Sequence, residues 1–89
     1  MSIQEKEKWL LYASVISSRK KSKILKVLNE KPLTPTQIKD KTQLSLSYTS
    51  KLLKELERTK IVICLNPNIR KGKLYMLTEI GKWVHNQLD

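Results

Sequence analysis

Apolar positions recur along most of this chain with the period of an α-helix, and one stretch alone departs from it. The clearest stripe is Thr49, Leu52, Leu53 and Leu56, spaced i, i+3, i+4 and i+7. Ser45 stands in front of it as an N-cap, its hydroxyl placed to accept a free amide of the first turn. At about 100° per residue, Ser47, Lys51, Lys54 and Arg58 fall on the opposite side. The helix over 45–59 therefore has an apolar back and a polar, cationic front, with small hydroxyls and Tyr48 near its start.

Before it, the pattern predicts three more helices. Residues 2–17 form the first: Gln4–Lys8 is charged, and Trp9, Leu10, Leu11, Tyr12, Ala13, Val15 and Ile16 are apolar almost all round. Such a helix either lies in a subunit interface or packs on its own domain. Ser17 or Ser18 caps the second helix, 18–30, with Ile24, Leu25, Val27 and Leu28 inward. Its start is basic (Arg19, Lys20, Lys21, Lys23, Lys26), which suits either phosphate contact or a solvated face. Lys31–Leu33 is a short connection. Thr34, Pro35 and Gln37 then form a capping box with proline at the first helical position. That third helix points Ile38 inward and ends near Lys41 or Thr42. Gln43–Leu44 makes the turn, with Leu44 buried between the two helices, as in a helix-turn-helix.

After Arg58 the period drops to that of a strand. Ile61–Leu65 is β-branched and bounded by turn formers, and Leu74–Leu77 returns as a second strand. The loop over about 66–73 carries Arg70, Lys71 and Lys73, and Gly72 permits a positive φ there. Thr78 caps a last helix, Glu79–Leu88, striped by Ile80, Trp83, Val84 and Leu88. Gly81 inside it points to a close approach. The expected architecture is one domain over 1–89, mainly α with a small β-hairpin (α+β).

Charge changes the picture more than composition does. The chain of 89 residues carries 18 basic and 8 acidic side chains, a net +10 that favours a polyanionic partner. One cysteine, Cys64, rules out an internal disulfide and suits a reducing compartment. The charged start does not resemble a signal peptide, and no apolar run approaches a membrane span. His85 and Cys64 lie apart, on a helix and a strand, so no catalytic set and no metal site is expected; the protein is read as not an enzyme and without a cofactor. His85 reads as a surface or interface residue and Cys64 as a small buried one.

The cationic front of helix 45–59 is what a helix entering the major groove requires, although an ordinary amphipathic helix also faces charge to water. Three stretches tip the balance. Lys23-Ile24-Leu25-Lys26-Val27-Leu28, Leu44 through Glu57, and Leu77-Thr78-Glu79-Ile80-Gly81-Lys82 appear in the order and spacing of a core helix, a recognition helix and a post-wing segment. Together they resemble the winged helix-turn-helix transcriptional regulators of bacteria and archaea, of the MarR and ArsR type, over about 18–88.

The resemblance implies a sequence-specific regulator of double-stranded DNA, cytoplasmic and nucleoid-associated when bound. It implies base-side roles for Leu46, Ser47, Tyr48, Ser50 and Lys51, and phosphate or minor-groove roles for Lys54, Arg70, Lys71 and Lys73. It further implies a homodimer through the terminal helices, using Trp9, Leu10, Leu11, Tyr12, Val15, Ile16, Trp83, Val84 and Leu88. No membrane and no small-molecule ligand is expected, the chain being shorter than typical MarR proteins. Two residues depart from the family: Lys60 stands where a glycine C-cap is usual, and Thr49 replaces a branched core residue, with a partner expected for its hydroxyl. The rival readings are a protein-interaction module on the same fold and a non-specific DNA- or RNA-binding architectural protein.

Overall fold

The computed structural model describes residues 4–88. Among them the order is α1 (Glu5–Ile16), α2 (Arg19–Leu28), α3 (Pro35–Thr42), α4 (Leu46–Arg58), β1 (Val62–Cys64), β2 (Tyr75–Leu77) and α5 (Glu79–Gln87). The chain is thus mainly helical with one small antiparallel hairpin. Ser2 and Ile3, where the first helix is expected to begin, lie outside the described residues.

Four helices start at caps legible in the sequence. The Lys21 N–H donates to Ser18 Oγ at 3.3 Å, so Ser18 rather than Ser17 opens α2. The Gln37 N–H donates to Thr34 Oγ1 and the Thr34 N–H donates back to Gln37 Oε1, which completes the capping box at α3. The Tyr48 N–H donates to Ser45 Oγ at 3.2 Å, and the Gly81 N–H to Thr78 Oγ1 at 3.1 Å. Each bond satisfies an amide that a helix start leaves free.

The helix ends need positive φ at two non-glycine residues. Gln43 (φ 65°) closes α3 and turns the chain into α4. Lys60 (φ 68°) follows α4, where the Lys60 N–H donates to the Glu57 carbonyl and the Ile61 N–H to the Leu56 carbonyl. These two bonds and the buried pair Leu56 and Ile61 make a Schellman ending. Lysine therefore adopts the geometry that glycine takes freely, at a conformational cost.

The hairpin pairs Val62 with Leu77, Ile63 with Met76 and Cys64 with Tyr75. Both strands are shorter than the sequence predicts. Ile61 is engaged in the end of α4, while Leu65 and Leu74 share one further bond beyond the regular pairing. Leu33, expected in a plain connection, forms a bridge to Tyr75 through two backbone bonds of 3.0 and 2.9 Å.

One core joins every element. Val15, Ile24, Leu25, Leu33, Ile38, Leu53, Leu56, Ile61, Leu77 and Val84 are all sealed within it. Three expectations are corrected here. Val15 and Val84, expected at a subunit interface, are fully buried inside the domain, because α1 packs on α2 and α5 through them. The Thr49 hydroxyl is fully buried and finds no partner among the described residues; the Ser45 carbonyl accepts the Thr49 amide instead. Val27 and Leu44 are only partly buried at the core's edge.

Gly81 is where α5 touches the end of α4. A Cβ added there would meet the Ile61 carbonyl oxygen at 2.1 Å. Gly81→Ala is therefore expected to destabilise the fold by about 2–3 kcal/mol, despite alanine's better helix propensity. Lys60→Gly should act oppositely, raising stability by about 0.5–1 kcal/mol once glycine's greater unfolded-state freedom is set against relief of the left-handed conformation. Urea denaturation of the two variants checks both signs.

Candidate nucleic-acid interface

The outward side of α4 is set by the stripe that buries its back. With Thr49, Leu52, Leu53 and Leu56 in the core, Ser47, Lys51, Lys54 and Arg58 are held to solvent. Three open depressions run along this face and share residues. The first holds Lys20, Ser45, Ser47, Tyr48 and Lys51. Ser47 and Lys51 carry on into the second, with Ser50, Lys54 and Arg58. Ser50 and Lys54 carry on into the third, which lies between α4, the start of α3 and the hairpin loop and holds Leu46, Arg70, Lys71 and Lys73. The result is one cationic surface joining Lys51, Lys54 and the loop.

Acidic charge scarcely interrupts it. Among the described residues Glu55 is the one acid lining these depressions, and it lies 3.5 Å from Lys21 Nζ of α2. Tyr75 lines the third depression; burial, then Cys64 and Glu57 nearby, push its phenol above the ordinary value. It stays neutral around pH 7, so no charge of its own offsets the lysines above it.

The loop's shape comes from Asn66. Its Oδ1 accepts from the Leu74 N–H at 2.7 Å, and its Nδ2 donates to the Gly72 carbonyl at 3.2 Å. One side chain thus ties both ends of the loop, and Gly72 at φ 77° completes the turn. Arg70 and Lys71 are held exposed at the tip, with Lys73 half-buried at its base.

Most of the expected site residues fall on this surface, but not all face the same way. Ser47, Lys51 and Lys54 point outward, and Leu46 is exposed beside the hairpin with Ser50 half-buried next to it. Tyr48 differs: it is half-buried on the α2 flank, packed against the core, with Lys20 Nζ 4.5 Å above its ring. Lys20 and Arg58 join the surface although the expected site did not include them. Arg58 was legible from the helical wheel. Lys20 was legible only as one of five basic residues suited to phosphate contact or to a solvated face, because nothing local to α2 tells that its ammonium reaches Tyr48 at the start of α4. Asn66 also lacked a local signal, its partners lying six and eight residues away.

Away from this face, α1 and α5 present an aromatic cluster. Trp9 meets Trp83 edge-on at 4.9 Å and Tyr12 at 5.7 Å. Trp9, Leu10 and Ile16 remain 49%, 61% and 53% exposed, while Leu11, Tyr12, Trp83 and Leu88 are half-buried against the core. His85 is half-buried on α5, and Cys64 is buried in β1 with its Sγ 3.6 Å from Asn66 Oδ1. Among the described residues no helix is long and apolar enough to cross a membrane.

The sequence matches no family model, and no curated protein matches it.

Removing the Asn66 side chain should loosen the loop without unpairing the strands. Asn66→Ala is expected to speed hydrogen exchange at the Leu74 amide at least about tenfold, a loss of roughly one side-chain hydrogen bond. The Ile63 amide should stay protected. Equal exchange in variant and parent would show that Asn66 does not hold the loop.

Proposed function

We propose that this chain is a winged helix-turn-helix protein that binds double-stranded DNA sequence-specifically, as a homodimer, and regulates transcription by occupying its site. The observation that carries this reading is the continuous cationic surface from Lys51 and Lys54 to Arg70, Lys71 and Lys73. A duplex phosphate backbone is a line of negative charge, and it is matched by a line of cations rather than by scattered ones. In this reading α4 enters the major groove N-terminal end first, with Ser47 and Lys51 at base edges and Leu46 and Ser50 beside them. Lys54 takes a phosphate. The wing, residues 66–73, lies on the backbone or reaches into the minor groove. The protein would be cytoplasmic, and nucleoid-associated when bound.

The dimer half of the proposal rests on Trp9, Leu10 and Ile16, apolar side chains left exposed on α1, which packs against α5. Trp83 and Leu88 extend it. Two copies joined there would cover two half-sites about one helical turn apart and exclude or recruit polymerase.

A second reading, a protein-interaction module on the same fold, draws support from a different patch. Ile63 and Leu65 project from the outer side of the hairpin, and Ile69 is exposed in the loop. That face needs no DNA to explain it. A third, non-specific binding to DNA or RNA, shares the cationic surface and differs only in showing no sequence preference.

Lys51→Ala is expected to weaken binding to a selected duplex about tenfold or more. The pair Arg70→Ala and Lys71→Ala should flatten the dependence of log K on log salt by up to about two, one counterion released per phosphate lost. Fluorescence anisotropy across a salt series reads both. Unchanged affinity in the first variant would displace α4 from the interface, and an unchanged slope in the second would displace the wing. For the dimer, Leu10→Glu tests the surface without disturbing the core, since Leu10 is its most exposed member. Sedimentation should give a folded monomer; a persistent dimer would place the interface elsewhere.

A further inference from the structure

Resting on the DNA-binding reading above, we infer that Lys20 is a backbone-phosphate contact on the flank of α4 opposite the hairpin, and that Tyr48 is its platform rather than a reader of bases. Lys20 Nζ sits 4.5 Å from the centroid of the Tyr48 ring. Tyr48 is half-buried and packed against the core, so the ring is fixed and the ammonium above it has a defined position. The same depression holds the hydroxyls of Ser45 and Ser47 and the ammonium of Lys51, and no carboxylate among the described residues lines it. A phosphate entering there meets two cations and two hydroxyl donors, a chemistry that suits a phosphodiester oxygen of any sequence.

The neighbouring lysine shows what a purely structural cation looks like here. Lys21, the next residue of α2, faces Glu55 of α4 at 3.5 Å. Lys20 faces no such acid among the described residues. Arg19, Lys20 and Lys21 also crowd the first turn of α2, which contains no acidic residue. Cations at a helix start oppose the helix dipole, and an exposed cation–π contact returns only a similar small amount. The Lys20–Tyr48 pair therefore adds little to stability, while it aims a charge at the depression beside the start of α4.

This places phosphate contacts on both sides of α4. Arg70, Lys71 and Lys73 flank one side and Lys20 the other, with Ser47 and Lys51 between them. A helix gripped by backbone contacts on both flanks is fixed in rotation as well as in depth, so the clamp orients the residues that face the bases.

The test is the salt dependence of binding by the full chain to two duplexes, one rich in A·T and one in G·C, with the unfolding transition of each variant recorded. Lys20→Gln should lower the log–log slope by about one on both duplexes, leaving the affinity ratio between them unchanged. Lys20→Arg and Tyr48→Phe should keep the parent slope, and Tyr48→Leu should lose most of what Lys20→Gln loses. Lys26→Gln, an exposed cation farther along α2, should change the slope by much less. A parent slope in Lys20→Gln overturns the inference, as does an equal loss in Lys26→Gln, which would mean diffuse charge. A change of duplex preference in Tyr48→Leu would return Tyr48 to the bases and also overturn it. If the parent protein binds neither duplex, the DNA-binding reading itself fails, and the clamp with it; that result is distinct from a parent that binds and a variant that keeps its slope.

Discussion

The carbonyl groups of Lys60 and Ile61 hold four elements in one arrangement. The Thr78 hydroxyl donates to the Lys60 carbonyl at 2.5 Å and reaches the Ile61 carbonyl at 3.2 Å, while the Thr78 amide donates to Ile61 at 3.0 Å. The same hydroxyl accepts from the Gly81 amide and so starts α5. Gly81 lets α5 approach because it has no Cβ to strike the Ile61 carbonyl. The end of α4, the start of β1, the end of β2 and the start of α5 therefore meet at one point. The angle between α4 and the hairpin is fixed there, and with it the line from Lys54 to the loop cations. The left-handed Lys60 is the strain this junction accepts: its conformation turns the chain so that both carbonyls face Thr78.

What the sequence made legible was governed by interactions within about four residues. Thr34, Pro35 and Gln37 announced α3, Ser45 and the Thr49–Leu56 stripe announced α4, and Thr78 announced α5, because caps and stripes act along one helix. The outward set Ser47, Lys51, Lys54 and Arg58 followed from the same geometry. The misses that shape the site are mostly contacts between distant segments. The Leu33–Tyr75 bridge, the Lys21–Glu55 pair and the Lys20–Tyr48 stack join residues more than twenty positions apart, and no local period encodes them. Val15 and Val84 illustrate the same limit. They belong to stripes that run all round α1 and along α5, and only the packing of α1 against α2 and α5 decides which members turn inward.

The division of α1 is what makes a small domain of this kind both stable and sociable. Val15 closes the core, with Leu11 and Tyr12 at its edge, and the edge-on contacts of Trp9 with Tyr12 and Trp83 keep the exposed side ordered. The exposed apolar side chains of α1 and the exposed cations of α4 lie on different helices, so association with a second copy and binding of a polyanion would not compete for the same residues. The outer face of the hairpin, with Ile63 and Leu65, is a third surface adjoining the cationic loop.

We propose that the cationic face of α4 reads a DNA sequence. Selection of duplexes from a random pool by the purified chain, carried out at two salt concentrations, tests it most directly. The expected result is recovery of an inverted repeat, with half-sites about one helical turn apart, that is still enriched at the higher salt, since base contacts survive screening that weakens phosphate contacts. Recovery of no shared sequence, with binding lost at the higher salt, would contradict it and leave charge alone as the basis of any nucleic-acid binding.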